Sequence, residues 1–306
     1  MKNLHKYNQL VSIIMPVYNA GDFLVEAIES VRKQTHQNWE LIAINDGSTD
    51  NSLDILKQSA NQDKRIKIVN TEHKGLPYAL NTGLKEAQGE FIARMDADDV
   101  NHPKRLETQL KYLQNHPDII LVGSQVTMID VKGNVLAKKS FPLDHKRIYR
   151  MLAYMMPIQH ATILARASYF KDIAYQNHTT AEDVSMFFKM LARGKLANVK
   201  ENLYFYRLRE GSNSLRSLKK TYYLTLKSRV KAVLDWGYKP EILGIVLNIF
   251  QFVTISILPT RIVFALYKFL RFNSFHIKNT IIKVRQKINH RLNWKKQAVT
   301  LSVKKI

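Results

Sequence analysis

Two hydrophobic periods alternate along the first 115 residues. Val11-Ser12-Ile13-Ile14-Met15-Pro16-Val17-Tyr18-Asn19 is a short, nearly unbroken apolar run and reads as a buried strand stopped by its proline. Phe23, Leu24, Ala27, Ile28 and Val31 follow at helical spacing. Residues 39–44 form a second strand. The segment after it, Asn45-Asp46-Gly47-Ser48-Thr49-Asp50, is a turn rich in helix-capping side chains, and Leu53 and Leu56 open the next helix. Residues 66–69 are a third strand, and residues 76–87 a helix in which Gly83 is a weak point. Phe91-Ile92-Ala93 is a fourth strand. Beyond it, Pro103 suits a first helical turn, and Leu106, Leu110 and Leu113 share one face. Strand and helix in strict alternation imply an α/β domain with a mostly parallel, doubly wound sheet, in which ligands bind beyond the carboxyl ends of the strands.

The pattern then changes. Residues 119–129, 140–143, 156–164 and 203–208 read as strands, and Glu182-Asp183 opens a helix carrying Phe187, Met190 and Leu191. This mixed half is the natural place for a second substrate. From Leu218 the chain reads as helical. Residues 242–258 form an apolar stretch interrupted by Asn248, Gln251, Thr254 and Ser256, and a second run over 262–267 meets Lys268 and Arg271. Each run falls short of the roughly 20 apolar residues a span needs. The expectation is an interfacial hairpin or amphipathic pair; a packed helical subdomain with a solvated face and a true transmembrane span are the alternatives. The expected division is therefore an α/β domain over 1–215, with halves 1–115 and 116–215, and a helical, membrane-associated appendage over 216–306.

Charge sharpens that division. The net charge is +22, and residues 216–306 hold 19 Lys and Arg against only Asp235 and Glu241 as acids. Such a tail calls for a polyanion. Its basic residues are interleaved with long aliphatic runs, which favours an anionic membrane surface and leaves no expectation of nucleic acid. The chain has 306 residues, 45% of them hydrophobic, enough for a sizeable core. It has no cysteine, which excludes disulfides, thiolate zinc sites and cysteine nucleophiles. The first ten residues lack an apolar leader segment, so the N-terminal part is expected in the cytosol.

The candidate chemistry starts at the end of the fourth strand, where Asp96-Ala97-Asp98-Asp99 places three carboxylates within four residues. Such crowding needs a cation, and Mg²⁺ or Mn²⁺ bridging carboxylates to a substrate diphosphate is the leading candidate. A solvated acidic turn capping the next helix is the bland alternative. Three polar segments all lie at predicted strand ends, those of Tyr18, Asp46 and Asp96, and should meet in one crevice, which favours a site.

These residues resemble the family 2 glycosyltransferases. The resemblance is carried by Val11 to Asn19, by Asn45 to Asp50, by Met95-Asp96-Ala97-Asp98-Asp99 and by Ala181-Glu182-Asp183, in that order, and covers residues 11 to about 214. It implies a GT-A fold and inverting transfer from a nucleotide-activated sugar. It also implies that Pro16, Tyr18 and Asp46 line the nucleoside pocket, that Lys74 adds positive charge beside it, and that Asp96 contacts the ribose or a metal-bound water. Asp98 is the implied metal ligand, with Asp99 and Asp96 as further candidates. Asp183 is the implied general base, held ionised at a helix N-terminus, and Glu182 orients the acceptor. His160 stands where the family often has histidine, and lines the sugar or acceptor pocket or else belongs to the core. Two positions depart from the family's habit. Leu80 stands where many members have arginine, and Arg209 stands where a Tyr-Arg-x-His motif has histidine, so Arg209 is suited to the diphosphate instead.

The expectation is then a metal-dependent glycosyltransferase acting from a UDP-sugar on a glycan or lipid-linked glycan acceptor, of the kind used in surface polysaccharide assembly. Its expected place is peripheral, on the cytoplasmic face of the inner membrane. Two readings compete. A nucleotidyltransferase on a similar sheet would use the metal-binding carboxylates but would not need Glu182-Asp183. A basic membrane-binding protein with an inactive sugar site would need neither.

Overall fold

The computed structural model describes residues 9–175, 181–209, 218–259 and 262–263. The chain forms two compact units, Met1–Val253 and Thr254–Ile306. The strands are β1 (Val11–Val17), β2 (Trp39–Asp46), β3 (Ile66–Thr71), β4 (Phe91–Arg94), β5 (Val100–Asn101), β6 (Ile119–Ile129), β7 (Val135–Lys139), β8 (Leu164–Arg166) and β9 (Lys195–Arg207). They form one sheet in the order β3-β2-β1-β4-β8-β6-β9-β5, with β7 added on β6. β3, β2, β1 and β4 are mutually parallel, joined by α1 (Gly21–Arg32), α2 (Ser52–Gln62) and α3 (Leu76–Glu86). β8 is antiparallel to both β4 and β6, and so fuses the parallel half to the mixed half. This is the expected α/β architecture: a mostly parallel N-terminal half and a mixed second half.

The side-chain period of two sorts each strand between two cores. Ile13, Met15 and Val17 of β1 pack under α1, with Leu24, Ala27, Ile28 and Val31. Ile14 points to the other face, with Ala79, Leu80 and Leu84 of α3. α4 (Arg105–Asn115) places Leu106, Leu110 and Leu113 in the first core. α7 (Glu182–Leu191) places Phe187, Phe188 and Met190 in the second; α5 (His145–Leu152) and the short α6 (Ala167–Phe170) complete that layer. Gly83 is a packing requirement here. A Cβ there would lie 2.5 Å from Ile14 Cγ2 and 2.9 Å from Ile44 Cδ1, so only glycine lets α3 approach the sheet this closely.

Three boundaries differ from the sequence expectation. The strand expected over 140–143 is instead β7, ending at Lys139: Pro142 has no N–H to offer a ladder, and the Phe141 N–H donates to the side-chain Oε1 of Gln125 rather than to a backbone carbonyl. The strand expected over 156–164 is confined to Leu164–Arg166 because residues 160–162 turn into a 3₁₀ helix, with the Thr162 N–H donating to Gln159 O. The strand expected over 203–208 extends back to Lys195 and pairs with β6 through several irregular registers.

Beyond Leu218 two helices follow, α8 (Leu218–Asp235) and α9 (Ile242–Ile257). The part of α9 up to Val253, with all of α8, belongs to the same compact unit as the sheet. No described helix is long and apolar enough to cross a membrane. Of the second apolar run, all but Ile262 and Val263 lies outside the described residues.

Candidate active site

The carboxyl ends of β1, β2 and β4 carry the site. At the end of β2, Gly47 holds φ +67°, and a Cβ there would sit 2.7 Å from the His73 N atom. Glycine therefore lets the loop after β3 close over the end of β2. The buried Asp46 carboxylate fixes that loop: Oδ1 accepts from the Lys74 N–H at 2.8 Å and Oδ2 from the Gly75 N–H at 2.9 Å. His73 Nδ1 lies 3.0 Å from Asp46 Oδ2, and the His73 ring stacks on Tyr18 with centroids 4.0 Å apart. Tyr18 is exposed and Pro16 half-buried, so one flank of the crevice is a flat aromatic surface backed by backbone N–H groups. The Lys74 ammonium lies over the Tyr78 ring and 3.6 Å from Glu72.

The loops after β1 and β2 are tied together by their own polar residues. Asn19 Oδ1 accepts from the Thr49 N–H at 2.8 Å. Asp50 serves two helices at once: Oδ1 accepts from the Ser52 N–H at 3.0 Å and Oδ2 from the Gly21 N–H at 2.9 Å, at the first turns of α2 and α1.

The acidic cluster follows β4. Arg94, buried at the end of that strand, grips Asp96 with both terminal nitrogens, Nη2 at 2.5 Å and Nη1 at 3.2 Å. Asp98 receives Arg209 Nε at 2.7 Å. Asp99 is buried; Oδ1 accepts from the Arg207 N–H at 2.7 Å, while Oδ2 has no hydrogen-bond partner among the described residues. Carboxylate oxygens of Asp96, Asp98 and Asp99 lie within 4.8 Å of one another, the one such group of three among the described residues. Burial, then the Asp96 charge, push Asp98 up from the ordinary carboxylate range; burial, Asp96 and Asp98 push Asp99 well above it. Closely set oxygens, a buried oxygen without a donor and carboxyls resisting ionisation are what a small, hard cation relieves, so the donor set fits Mg²⁺ or Mn²⁺.

The Glu182-Asp183 pair opens α7. Ala181 precedes it in the left-handed region, φ 70°, and turns the chain into α7. Glu182 is buried, whereas Asp183 keeps part of its surface exposed and accepts from the Val184 N–H at 2.9 Å. Burial, then the Asp183 charge, push Glu182 up to about 8. Burial raises Asp183 as well, against the Val184 N–H and the Arg94 charge. A helix N-terminus favours the charged form of Asp183, and burial works against it. Arg94 pairs with Asp96, and its charge also acts on Glu182 and Asp183. Burial opposes its charge, but Asp96, followed by Tyr204, Tyr175 and Glu182, more than offsets that.

His160 is buried, with Nε2 2.8 Å from the Tyr175 hydroxyl and its ring edge-on to Phe187. Burial, with Arg94 adding to it, pushes its pKa well below the ordinary imidazole value and favours the neutral ring.

Several residues unassigned from the sequence prove central. Arg94 lies inside an apolar strand, where a lone arginine just before an acidic cluster is a readable sign of a buried ion pair. His73 is the other half of the Tyr18 stack. Arg207 donates Nε to Asp98 O at 2.8 Å and pairs through Nη2 with Glu26 at 2.5 Å, fixing the acidic loop from β9. Tyr204 accepts from the Asp96 N–H at 3.0 Å. Arg105, fully buried, donates to Arg94 O at 2.7 Å; nothing in its sequence context distinguishes it from a helix-surface residue.

Comparison with known proteins identifies the family. Residues 12–174 match the glycosyl transferase family 2 domain. An uncharacterized glycosyltransferase of Haemophilus influenzae is 35% identical over 217 residues, 67% of each chain. The putative glycosyltransferase EpsE of Bacillus subtilis is 35% identical over 219 residues, 69% of this chain and 77% of EpsE. Among solved structures, S. aureus TarS in complex with UDP-GlcNAc superposes with TM-score 0.60 at 22% identity, over 76% of this chain and 68% of TarS. The mannosyltransferase PcManGT from Pyrobaculum calidifontis, in complex with GDP-Man and Mn²⁺, superposes with TM-score 0.55 at 16% identity, over 87% and 86%. At these identities the structural likenesses establish the fold. With its strand-end site and its sequence matches taken together, the chain belongs to glycosyl transferase family 2 and is a glycosyltransferase of GT-A fold.

Proposed function

We propose that the protein moves a sugar from a UDP-sugar, with inversion at its anomeric carbon, to a hydroxyl of a lipid-linked glycan at the cytoplasmic face of the inner membrane. The observation that carries this reading is the placement of the Asp96-Asp98-Asp99 cluster and the Glu182-Asp183 pair in the field of one buried arginine, Arg94. A nucleotidyltransferase would not need the second pair. The UDP-GlcNAc held by TarS and the GDP-Man and Mn²⁺ held by PcManGT support a nucleotide-sugar donor and a divalent ion.

Each residue then has a task. The Tyr18–His73 stack offers a ring face to the uracil, and Asp46 keeps the N–H groups of residues 74 and 75 in place beside it. Asp98, Asp99 and Asp96 would hold Mg²⁺ or Mn²⁺, which when bound would supply positive charge to the departing diphosphate. Arg209 leaves Asp98 for the diphosphate, a partner that suits its planar fork. Asp183 takes the acceptor proton as that oxygen forms its bond to the anomeric carbon; the bond to the diphosphate oxygen breaks and its electron pair leaves with UDP. Glu182, pushed toward its protonated form by burial and by Asp183, would donate a hydrogen bond to the sugar or acceptor.

The test is UDP release from UDP-glucose, UDP-galactose and their N-acetyl forms, with Mn²⁺ and with EDTA. At least one donor should be turned over only with the metal, and Asp98→Asn should abolish it. Turnover indifferent to EDTA, or confined to GDP-sugars, would contradict the proposal.

A further inference from the structure

Helix α9 is amphipathic in reverse. The side turned toward the rest of its unit carries Gly244, Asn248 and Gln251. A Cβ on Gly244 would lie 2.7 Å from the Ala153 Cβ, so the helix is seated closely there. The Asn248 amide donates to Ala153 O and accepts from Arg229 Nη1 at 2.8 Å, and Gln251 Nε2 donates to Tyr154 O at 3.3 Å. The opposite side is apolar and in solvent: Ile242 is 81% exposed, Val246 54%, Ile249 59% and Val253 45%. Their spacing of three and four residues puts them on one stripe. Val230, Val233 and Leu234 of α8 are exposed as well.

A helix designed to face water would carry these residues the other way round, and an apolar surface of this extent marks an interaction site. Charge selects the occupant. Residues 216–306 hold 19 Lys and Arg against two acids, and the whole chain carries +22, so a second copy would bring like charges together. An anionic bilayer offers both an apolar layer and a complementary headgroup charge. With 16 residues, α9 is about 24 Å long, shorter than the hydrocarbon core, so it lies in the interface.

We propose that the outward stripe of α9 from Ile242 to Val253 is the surface by which the protein docks on an anionic bilayer. This rests on the reading of a membrane-borne acceptor and gives that partner a defined face. Anchorage there would keep the enzyme at the plane in which a lipid-linked acceptor diffuses.

The experiment is flotation of the full chain with vesicles of phosphatidylcholine alone and with added phosphatidylglycerol. The wild type should float with the anionic vesicles and less so as salt is raised. Val246→Asp/Ile249→Asp should lower that partition by about tenfold or more, and the milder Val246→Ser/Ile249→Ser pair by less. Thermal midpoint and UDP release in solution should not change, because neither residue packs in the core. Flotation of both pairs equal to wild type would overturn the proposal. So would a wild type that ignores both vesicles but sediments as a dimer, with the variants monomeric. Absence of UDP release would strike the transfer reading and leave the flotation result standing.

Discussion

Replacing Glu182 by glutamine removes a buried ionisable group while keeping its shape. In the folded protein, burial and then Asp183 push Glu182 from its ordinary 4.5 up to about 8. Unfolding returns it to the ordinary value. The folded state thus favours the protonated form: the stability this confers is complete below 4.5 and is lost as pH rises through about 8. Each pH unit in that window is worth about 1.4 kcal/mol. Between pH 6 and pH 8.5 the wild type should lose about 1–3 kcal/mol more than Glu182→Gln, the lower figure allowing for relaxation and for a proton shared with Asp183. The assay is guanidinium denaturation of both proteins at the two pH values, without metal. Equal losses of stability, within about 0.5 kcal/mol, would refute the placement of Glu182 as a buried carboxyl kept neutral.

Three further substitutions test other parts of the site. Arg209→Gln frees Asp98 of its 2.7 Å partner; affinity for Mn²⁺ without nucleotide should rise roughly threefold to tenfold by electron paramagnetic resonance titration, while UDP affinity falls about tenfold, and unchanged Mn²⁺ affinity would show that the pair does not oppose the metal. Asp46→Asn turns an amide NH₂ toward the Lys74 or Gly75 N–H, a loss of about 1–3 kcal/mol in the loop; UDP affinity should fall roughly tenfold by calorimetry, and an unaltered value would remove Asp46 from the nucleoside side. Gly83→Ala gains about 1 kcal/mol of helix propensity but drives a methyl to 2.5 Å from Ile14, so the unfolding free energy should drop by about 1 kcal/mol or more; a rise would contradict the close seating of α3.

The parallel half was legible because its strands are short apolar runs punctuated by polar turns, and because Pro16, Asp46 and Asp96 fall where such runs end. The mixed half was less so. β8 has three residues and sits between strands distant in sequence, which no local period announces. Pro142 and the turn at residues 160–162 displaced expected strands because backbone hydrogen bonding, not apolar content, sets those boundaries. Gly83 read as weak because propensity sees only the helix; its reason lies across the sheet in Ile14 and Ile44. The acidic residues of the site were visible as unusual charges at strand ends. Of their cationic partners Arg209 was visible in its motif and Arg94 by its place in an apolar strand, whereas Arg105 and Arg207 become part of the site only once α4 and β9 meet β4. The reversed polarity of α9 was hidden for the same reason: a sequence shows two faces but not which one is turned inward.

The central claim is that Asp183 is the base of a sugar transfer whose donor is held elsewhere, at the acidic cluster and the Tyr18–His73 flank. The direct measurement is Asp183→Asn, with transfer and UDP-sugar affinity determined on the same preparation. Transfer should fall by about 10²–10⁴-fold with donor affinity within about twofold of wild type. Full transfer, or a loss matched by an equal loss of donor binding, would contradict it.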